Sequence, residues 1–420
     1  MPHTAVEKII GAHAGADVSA GDVVRVSVDL VMATDGNAPL AIDLLRNELG
    51  ADDSFDGSGI VLVVDHCAPA PNAGAANMQR VMREFAHESG ERIYDAGVGI
   101  SHVVLPENGD VGPGMLVVGS DSHTVTYGAV NCLGTGMGST DVAVAMFTGR
   151  TWLRVPETVR VELGGRLRDG VAAKDAALEL MRRVGVDGAT YACVEYDGDG
   201  LRALSMDARF TLANMSIEMG AKCCLMPVDE VCEAYVRSRS QRVPDPRWSD
   251  ADARYAQVVP LDLSEVEPLV APPHDLTDIE PVASAGERRI DLAFIGTCTN
   301  GRLSDLERAA EVIGERRVHP GVQLIVTPGS RRVYLDALRL GLIERFIEAG
   351  AVVNPPGCGP CVGTHQGIPA DNHSVITTAN RNFMGRMGNR HASIHVASPE
   401  VVAASAVEGR IVAHVEPVRG

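Results

Sequence analysis

Residues 354–390, NPPGCGPCVGTHQGIPADNHSVITTANRNFMGRMGNR, and the upstream segment 296–301, GTCTNG, together hold three of the chain's nine cysteines. Cys358 and Cys361 stand in a turn built from Pro355, Pro356, Gly357, Gly359 and Pro360, while Cys298 follows the apolar run DLAFIG. Both segments are rich in small or polar residues, so three thiolates can meet at one point. Backbone that wraps an inorganic group must approach closely and aim N–H groups at sulfur, which favours such neighbours.

The same residues admit three chemistries. Three thiolates around a cubane leave one of its four irons open as a Lewis acid, whereas electron carriers close all four corners. His365, four residues after Cys361, could instead complete a Cys3His zinc site. Cys358-Gly-Pro-Cys361 also copies the thioredoxin-type dithiol, but that motif should open a helix, and Val-Gly-Thr-His-Gln-Gly-Ile-Pro follows here.

Composition narrows the setting. At 420 residues the chain exceeds one ordinary domain, and about two to three domains are expected. Hydrophobic residues make up 45%, aromatics 4%, and there are 44 glycines, a balance that suits an α/β enzyme. The net charge is −18, and Lys8, Lys174 and Lys222 are the only lysines. So acidic a surface repels phosphate backbones, and no nucleic-acid partner is expected. The start, MPHTAVEKII, lacks the apolar segment of an export signal, and the runs Ile60–Val64 and Val142–Phe147 are too short for a bilayer. A cytoplasmic protein without membrane attachment is expected. An odd number of irregularly spaced cysteines argues against a disulfide framework, and Cys67, Cys132, Cys193, Cys223, Cys224 and Cys232 read as small buried residues.

Strand and helix patterns alternate along the chain and predict an α/β fold. Val23–Val31 alternates like a strand, Leu40–Leu49 like an amphipathic helix, and Gly59–Val64 reads as a buried parallel strand ending in Asp65-His66. Residues just past such strands sit where open α/β sheets place ligands. A helix over Asn77–His87 precedes His102, and the strand Met115–Val118 runs into Asp121, Ser122 and His123. The glycine-rich stretch Gly128–Gly138 opens a helix over Thr140–Phe147. Singly, these polar residues fit caps or core histidines. Jointly, histidines beside carboxylates make proton donors for an oxygen leaving group.

From Pro156 a second unit is expected, with a strand Val159–Leu163, a helix Ala172–Val184, a strand bearing Glu195 as a candidate histidine partner, and a helix Thr211–Gly220. Residues 237–287 turn Pro- and Asp-rich and read as a linker. Beyond it, strands at Leu292–Ile295, Val322–Val326 and Val375–Ile376 alternate with helices at Asp305–Ile313 and Val333–Arg339.

Several long strings, including VDLVMATDGNAPLA, VGISHVVLPENGDVGPGMLVVGSDSHTVTYGAV, RFTLANMSIEMGAK, GTCTNGR, GCGPCVG and TANRNFMGRMGN, are chemically unusual and run nearly end to end. In these the chain resembles the aconitase family, in the form of the large subunits of its split members, the 3-isopropylmalate dehydratases and homoaconitases. The resemblance implies a three-domain α/β/α architecture, with units at 1–155, 156–285 and 286–420. It implies one [4Fe-4S] cluster per subunit, held by Cys298, Cys358 and Cys361. The sequence ends at Gly420, and the family's swivelling fourth domain, with a serine base and further arginines, is expected on a small-subunit partner, without which the chain would be inactive.

By the same resemblance, His66 with Asp65 and His102 with Asp121 would manage departure and protonation of the hydroxyl, and His123 would lean on Glu195. Arg381, Arg386 and Ser122 would bind a hydroxy di- or tricarboxylate. Pro39 stands where aconitase proper has a substrate-contacting Gln, which favours the isopropylmalate or homocitrate branch, and Thr34 stands where relatives often have His beside the aspartate, here Asp35. The implied reaction is dehydration and rehydration of a 2-hydroxy acid, first of all 2-isopropylmalate to 3-isopropylmalate in leucine biosynthesis. Homoaconitase and an aconitase-like enzyme of specialised metabolism are the alternatives, and an iron- or redox-sensing iron–sulfur protein is the alternative of another class.

Overall fold

Buried aliphatic runs such as Gly59–Val63 and Leu292–Ile295 become central parallel strands, since their side chains are covered on both faces. In this computed structural model, which describes residues 2–50, 59–240 and 245–414, such strands build three sheets and a two-stranded ribbon. The first part of the chain supplies β1 (Val23–Ser27), β2 (Leu30–Thr34), β3 (Gly59–Val63), β4 (Arg92–Tyr94), β5 (Leu116–Gly119), β6 (Leu133–Gly136) and β7 (Arg150–Arg154). The first sheet is parallel, in the order β4-β3-β2-β5-β6, and β1 pairs antiparallel with β7 outside it. The single strand expected over Val23–Val31 is therefore two. Val28 N–H donates to Gly149 O and Asp29 N–H to Leu116 O, each at 2.9 Å, where the chain passes from ribbon to sheet. Alternation of side chains has the same period in both pieces, so it hides the break.

The second sheet, also parallel, takes β8 (Thr158–Gly164), β9 (Cys193–Asp197), β10 (Cys223–Leu225) and β11 (Gln257–Asp262) in the order β10-β9-β8-β11. The third takes β12 (Leu269–Ala271), β13 (Glu280–Pro281), β14 (Leu292–Ile295), β15 (Gln323–Val326), β16 (Val352–Val353), β17 (Ser374–Thr377) and β18 (Ser393–Ala397). Its order is β13-β12-β18-β17-β14-β15-β16, parallel except where β12 meets β13 and β18. Three of these strands, β11, β12 and β13, come from the stretch expected as a linker, of which 241–244 lies outside the described residues. Prolines between them mark turns, and the short apolar triad Leu269-Val-Ala271 is buried as a strand all the same.

Helix ends follow their caps. The helix expected over Asn77–His87 begins earlier, at Ala73, because the Asn72 side chain accepts from Ala75 N–H at 3.0 Å. The helix expected over Thr211–Gly220 runs instead from Met206 to Met215 and tightens into a 3-10 turn, Ser216–Met219, closed by Gly220 at φ 83°. One apolar core joins the first two sheets through Val61, Tyr127, Val161 and Phe210, and a separate one, with Ile295, Leu306 and Phe346, underlies the third. Among the described residues, no helix is long and apolar enough to cross a membrane. Polar loops leave the carboxyl ends of β3, β5, β14, β16 and β17, and these loops carry the residues described next.

Candidate active site

Cys298 lies in a single helical turn, Thr297–Asn300, directly after β14, and Thr297 holds φ 76°. A left-handed φ on a β-branched residue costs roughly 1–3 kcal/mol and persists only where its surroundings impose it. Here Gly296 N–H donates to Thr378 Oγ1 at 2.9 Å, and that hydroxyl donates back to Gly296 O at 3.0 Å. Cys358 and Cys361 bracket the start of a 3-10 turn, Gly359–Val362, after β16. Cys358 N–H donates to Asp65 O at 2.9 Å, which ties this loop to the end of β3. A Cβ at Gly363, φ 70°, would stand 2.2 Å from Gly388 N, so glycine is what allows the cysteine turn to lie against the loop of Arg386.

All three cysteines are buried. Asn214 Nδ2 donates to Cys298 Sγ at 3.2 Å, Asn380 Nδ2 reaches the same sulfur at 3.5 Å, and Arg386 Nη2 donates to Cys361 Sγ at 3.4 Å. Burial pushes the Cys298 thiol up to about 12 and the Cys358 thiol well above its usual value. A metal that binds sulfur as thiolate reverses that penalty.

The same cavity is lined by Asp65, His66, His102, Asp121, His123, Asn380, Arg381 and Arg386. His66 Nδ1 lies 2.6 Å from Asp65 Oδ1, and its Nε2 lies 3.7 Å from Asp121 Oδ2. Burial opposes a charged imidazole, yet Cys358 in its thiolate form and Asp65, with contacts to Asp121 and Asp35, hold His66 well above the usual histidine range. Asp121 Oδ1 is 3.0 Å from His102 Nε2 and accepts from the His123 main-chain N–H at 2.7 Å. Against burial, hydrogen bonds from His102, His123 and His66 keep the Asp121 carboxyl well below its usual range. Ser122 Oγ stands 3.5 Å from His123 Nδ1.

Supporting contacts fix these loops. Asp35 accepts from the main-chain N–H groups of His66 at 3.0 Å and Cys67 at 2.9 Å, and Ser101 N–H donates to Asp65 Oδ2 at 2.8 Å. Arg302 donates to Cys298 O at 2.9 Å and to His102 O at 3.1 Å, joining the turn of Cys298 to the helix Ser101–Glu107.

A family model described as "Aconitase family (aconitate hydratase)" matches residues 7–409. The chain belongs to the aconitase family. Relatives within it include the 3-isopropylmalate dehydratase large subunit of Moorella thermoacetica, 47% identical over 100% of both chains, and 3-isopropylmalate dehydratase large subunit 1 of Thermotoga maritima, 47% identical over 98% of both. A protein of Methanothermobacter thermautotrophicus named "Probable methanogen homoaconitase large subunit" is 47% identical over 96% of both chains. Among solved structures, the aconitase X of Thermococcus kodakaraensis, in its holo-form, superposes with a TM-score of 0.50 at 13% identity, covering 90% of this chain and 89% of that one, a likeness of fold.

In this aconitase-family chain one expected pairing is corrected. His123 Nε2 lies 2.9 Å from Glu218 Oε1, while Glu195 accepts from Ala5 N–H at 2.9 Å and Ser249 Oγ at 2.6 Å. Glu195 sits within β9, not beyond its carboxyl end, and so does not reach loops that gather at strand ends. Against burial, His123 and Arg381 keep the Glu218 carboxyl below its usual value. Asn214 and Glu218, four apart in the largely apolar LANMSIEM, carried a signal for this role, since helical spacing of buried polar groups marks a shared face. Asn380, next to Arg381, carried none that stood apart from its neighbours. The turn at Cys358 does not open a helix, and His365 Nε2 lies 2.8 Å from Ala68 O.

Proposed function

We propose that this chain is the large, iron–sulfur-bearing subunit of an isomerising hydro-lyase that interconverts 2- and 3-isopropylmalate together with a small subunit. One observation carries this reading. Three buried cysteines share a cavity with two histidine–carboxylate pairs and two arginines, in a chain 47% identical along its whole length to a 3-isopropylmalate dehydratase large subunit.

The donor set suits a [4Fe-4S] cluster better than a single ion. An ion bonded to sulfur at about 2.3 Å holds its ligands within about 4 Å of one another. Among the described residues, the group with all ligand atoms within 4.8 Å is Asp65, His66 and Cys358, and not the three cysteines. Wider spacing, with amide and guanidinium hydrogens aimed at two of the sulfurs, fits a larger body. Nδ1 of His102 and Nε of Arg386, both buried, have no partner within the described protein. Held by Cys298, Cys358 and Cys361, such a cluster supplies one iron without a protein sulfur, a Lewis acid for hydroxyl and carboxylate oxygen.

The remaining work falls to side chains. Arg381 is aimed by Glu218 through Nε, which leaves its Nη atoms to meet a substrate carboxylate, and Arg386 offers a second guanidinium beside Cys361. Ser122, expected to bind substrate, lines the neighbouring cavity with Gly136 and Met137 and meets this one through His123, 3.5 Å away. His66, kept protonated by Asp65 and its acidic neighbours, gives its proton to the departing hydroxyl. His102, tied to Asp121, sets the position of that acid between the two histidine loops. Burial keeps bulk water from competing for the proton.

The test is turnover by the anaerobically reconstituted complex of this chain and its small subunit, with isopropylmalate, homocitrate and citrate offered in turn. Isopropylmalate should be the best substrate. Faster turnover of homocitrate would select the homoaconitase reading that the Methanothermobacter relative keeps open. No turnover of any of the three with an intact cluster would reject an enzyme in favour of an iron- or redox-responsive protein. Cys358→Ser should lose both the brown colour and the activity.

A further inference from the structure

Lys174 is a charge in an unexpected place. It belongs to the helix Ala173–Val184, is fully buried, and touches the loops that carry the cysteine cavity. Its Nζ donates to Thr378 O at 2.8 Å and Ala379 O at 2.7 Å, and reaches Asn300 Oδ1 at 3.4 Å. Two of these acceptors are the peptide carbonyls just ahead of Asn380 and Arg381. The third belongs to the residue two positions after Cys298. All three are uncharged, so the ammonium's compensating charge must come from further away, and a methionine would fill the space with less desolvation cost.

Acidic groups of the site are the candidates for that charge. Burial draws the Lys174 pKa down to about 7, and Cys298, Asp305, Cys361 and Glu218, when ionised, push it back up. Two of the four are cysteines of the site. Within the same loops, Asn380 Nδ2 reaches Cys298 Sγ at 3.5 Å and Thr299 Oγ1 at 3.1 Å, and Asn300 Nδ2 donates to Asp305 Oδ1 at 2.9 Å. The Cys298 loop and the Asn380–Arg381 loop thus meet at the Cys298 sulfur and are also joined through one lysine.

We propose that Lys174 is a positioning residue of the iron–sulfur site, holding those two loops in register and supplying the buried positive charge that offsets the thiolates. The inference rests on the cluster reading given above. A fixed cation near the cluster favours its more negative, reduced form, so removing it moves the midpoint potential down. Loosening the loop of Arg381 weakens the grip on substrate carboxylate more than it slows the chemistry.

The test compares wild-type holoprotein, reconstituted anaerobically and joined to its small subunit, with Lys174→Met. The variant should show a lower midpoint potential in a dithionite titration, faster loss of iron in air, and a KM about tenfold higher with kcat within about threefold. A potential and a KM equal to those of the wild type overturn the proposal. If Lys174→Met does not fold, Lys174→Gln, which keeps an amide donor and no charge, is titrated in the same way: a lowered potential supports the role and a wild-type potential overturns it. Wild-type protein that takes up neither iron nor sulfide would remove the cluster reading itself, whereas a full cluster with an unshifted variant removes only the role of Lys174.

Discussion

Glu218 Oε1 stands 2.9 Å from His123 Nε2, and the same carboxylate lies 2.9 Å from Arg381 Nε. One buried acid thereby orients a histidine on a loop of the first sheet and an arginine on a loop of the third. Glu218→Gln keeps the shape and removes the charge, and kcat of the assembled enzyme should fall about 10²–10³-fold. Glu195→Gln should stay within about twofold. Similar losses in both variants would restore the pairing of His123 with Glu195.

Glu195 carries a prediction about stability instead. Burial raises its pKa from 4.5 to about 7, despite hydrogen bonds from Ser249 and Ala5. Between those values the folded chain keeps a proton that the unfolded chain has released. The stability this contributes is therefore complete below about pH 4.5, declines as pH rises towards 7, and levels off above it, a loss of roughly 3 kcal/mol. Asp175 and Asp305, buried and likewise raised to about 7, act in the same direction. Urea midpoints measured from about pH 5 to 7.5 should fall, and the fall should be shallower in Glu195→Gln. Identical slopes would assign the effect to the two aspartates.

Arg381→Lys keeps a positive charge but loses both the Nε contact with Glu218 and the planar fork. KM for the hydroxy acid should rise about 10- to 100-fold, with a smaller change in kcat. Steady-state kinetics with and without added salt would check this, and an unchanged KM would take Arg381 out of substrate binding.

Gly363→Ala places a Cβ 2.2 Å from Gly388 N at a φ of 70°. The expected cost is about 2 kcal/mol or more, seen as a lower Tm and impaired cluster uptake. Gly15→Ala, at φ 66° with nothing within 4 Å of its Cβ, should cost only about 1 kcal/mol and leave the cluster alone. Equal effects would place the constraint in backbone conformation, not in the contact of the two loops.

Local signals explain what could be read early. Gly59–Val63 ends at Asp65-His66, and Leu116–Gly119 runs on to Asp121 and His123; a buried apolar run followed by polar residues marks a strand end wherever it occurs. The cysteine turns announce themselves by glycine and proline, whose backbone preferences need no tertiary context. Elements between Arg237 and Glu287 were harder, because prolines around β12 outweigh a strand of three residues.

By itself, the order of residues determined an α/β chain of the aconitase family and the loops that carry Cys298, Cys358, Cys361, Asp65, His66 and Arg381, since each depends on neighbours a few positions away. Tertiary structure decided the partners: Glu218 and not Glu195 for His123, across 95 residues, and Lys174 beneath Thr378, across 204. Such pairs are chosen by how separate sheets pack, and the burial that makes them strong appears only when those sheets come together.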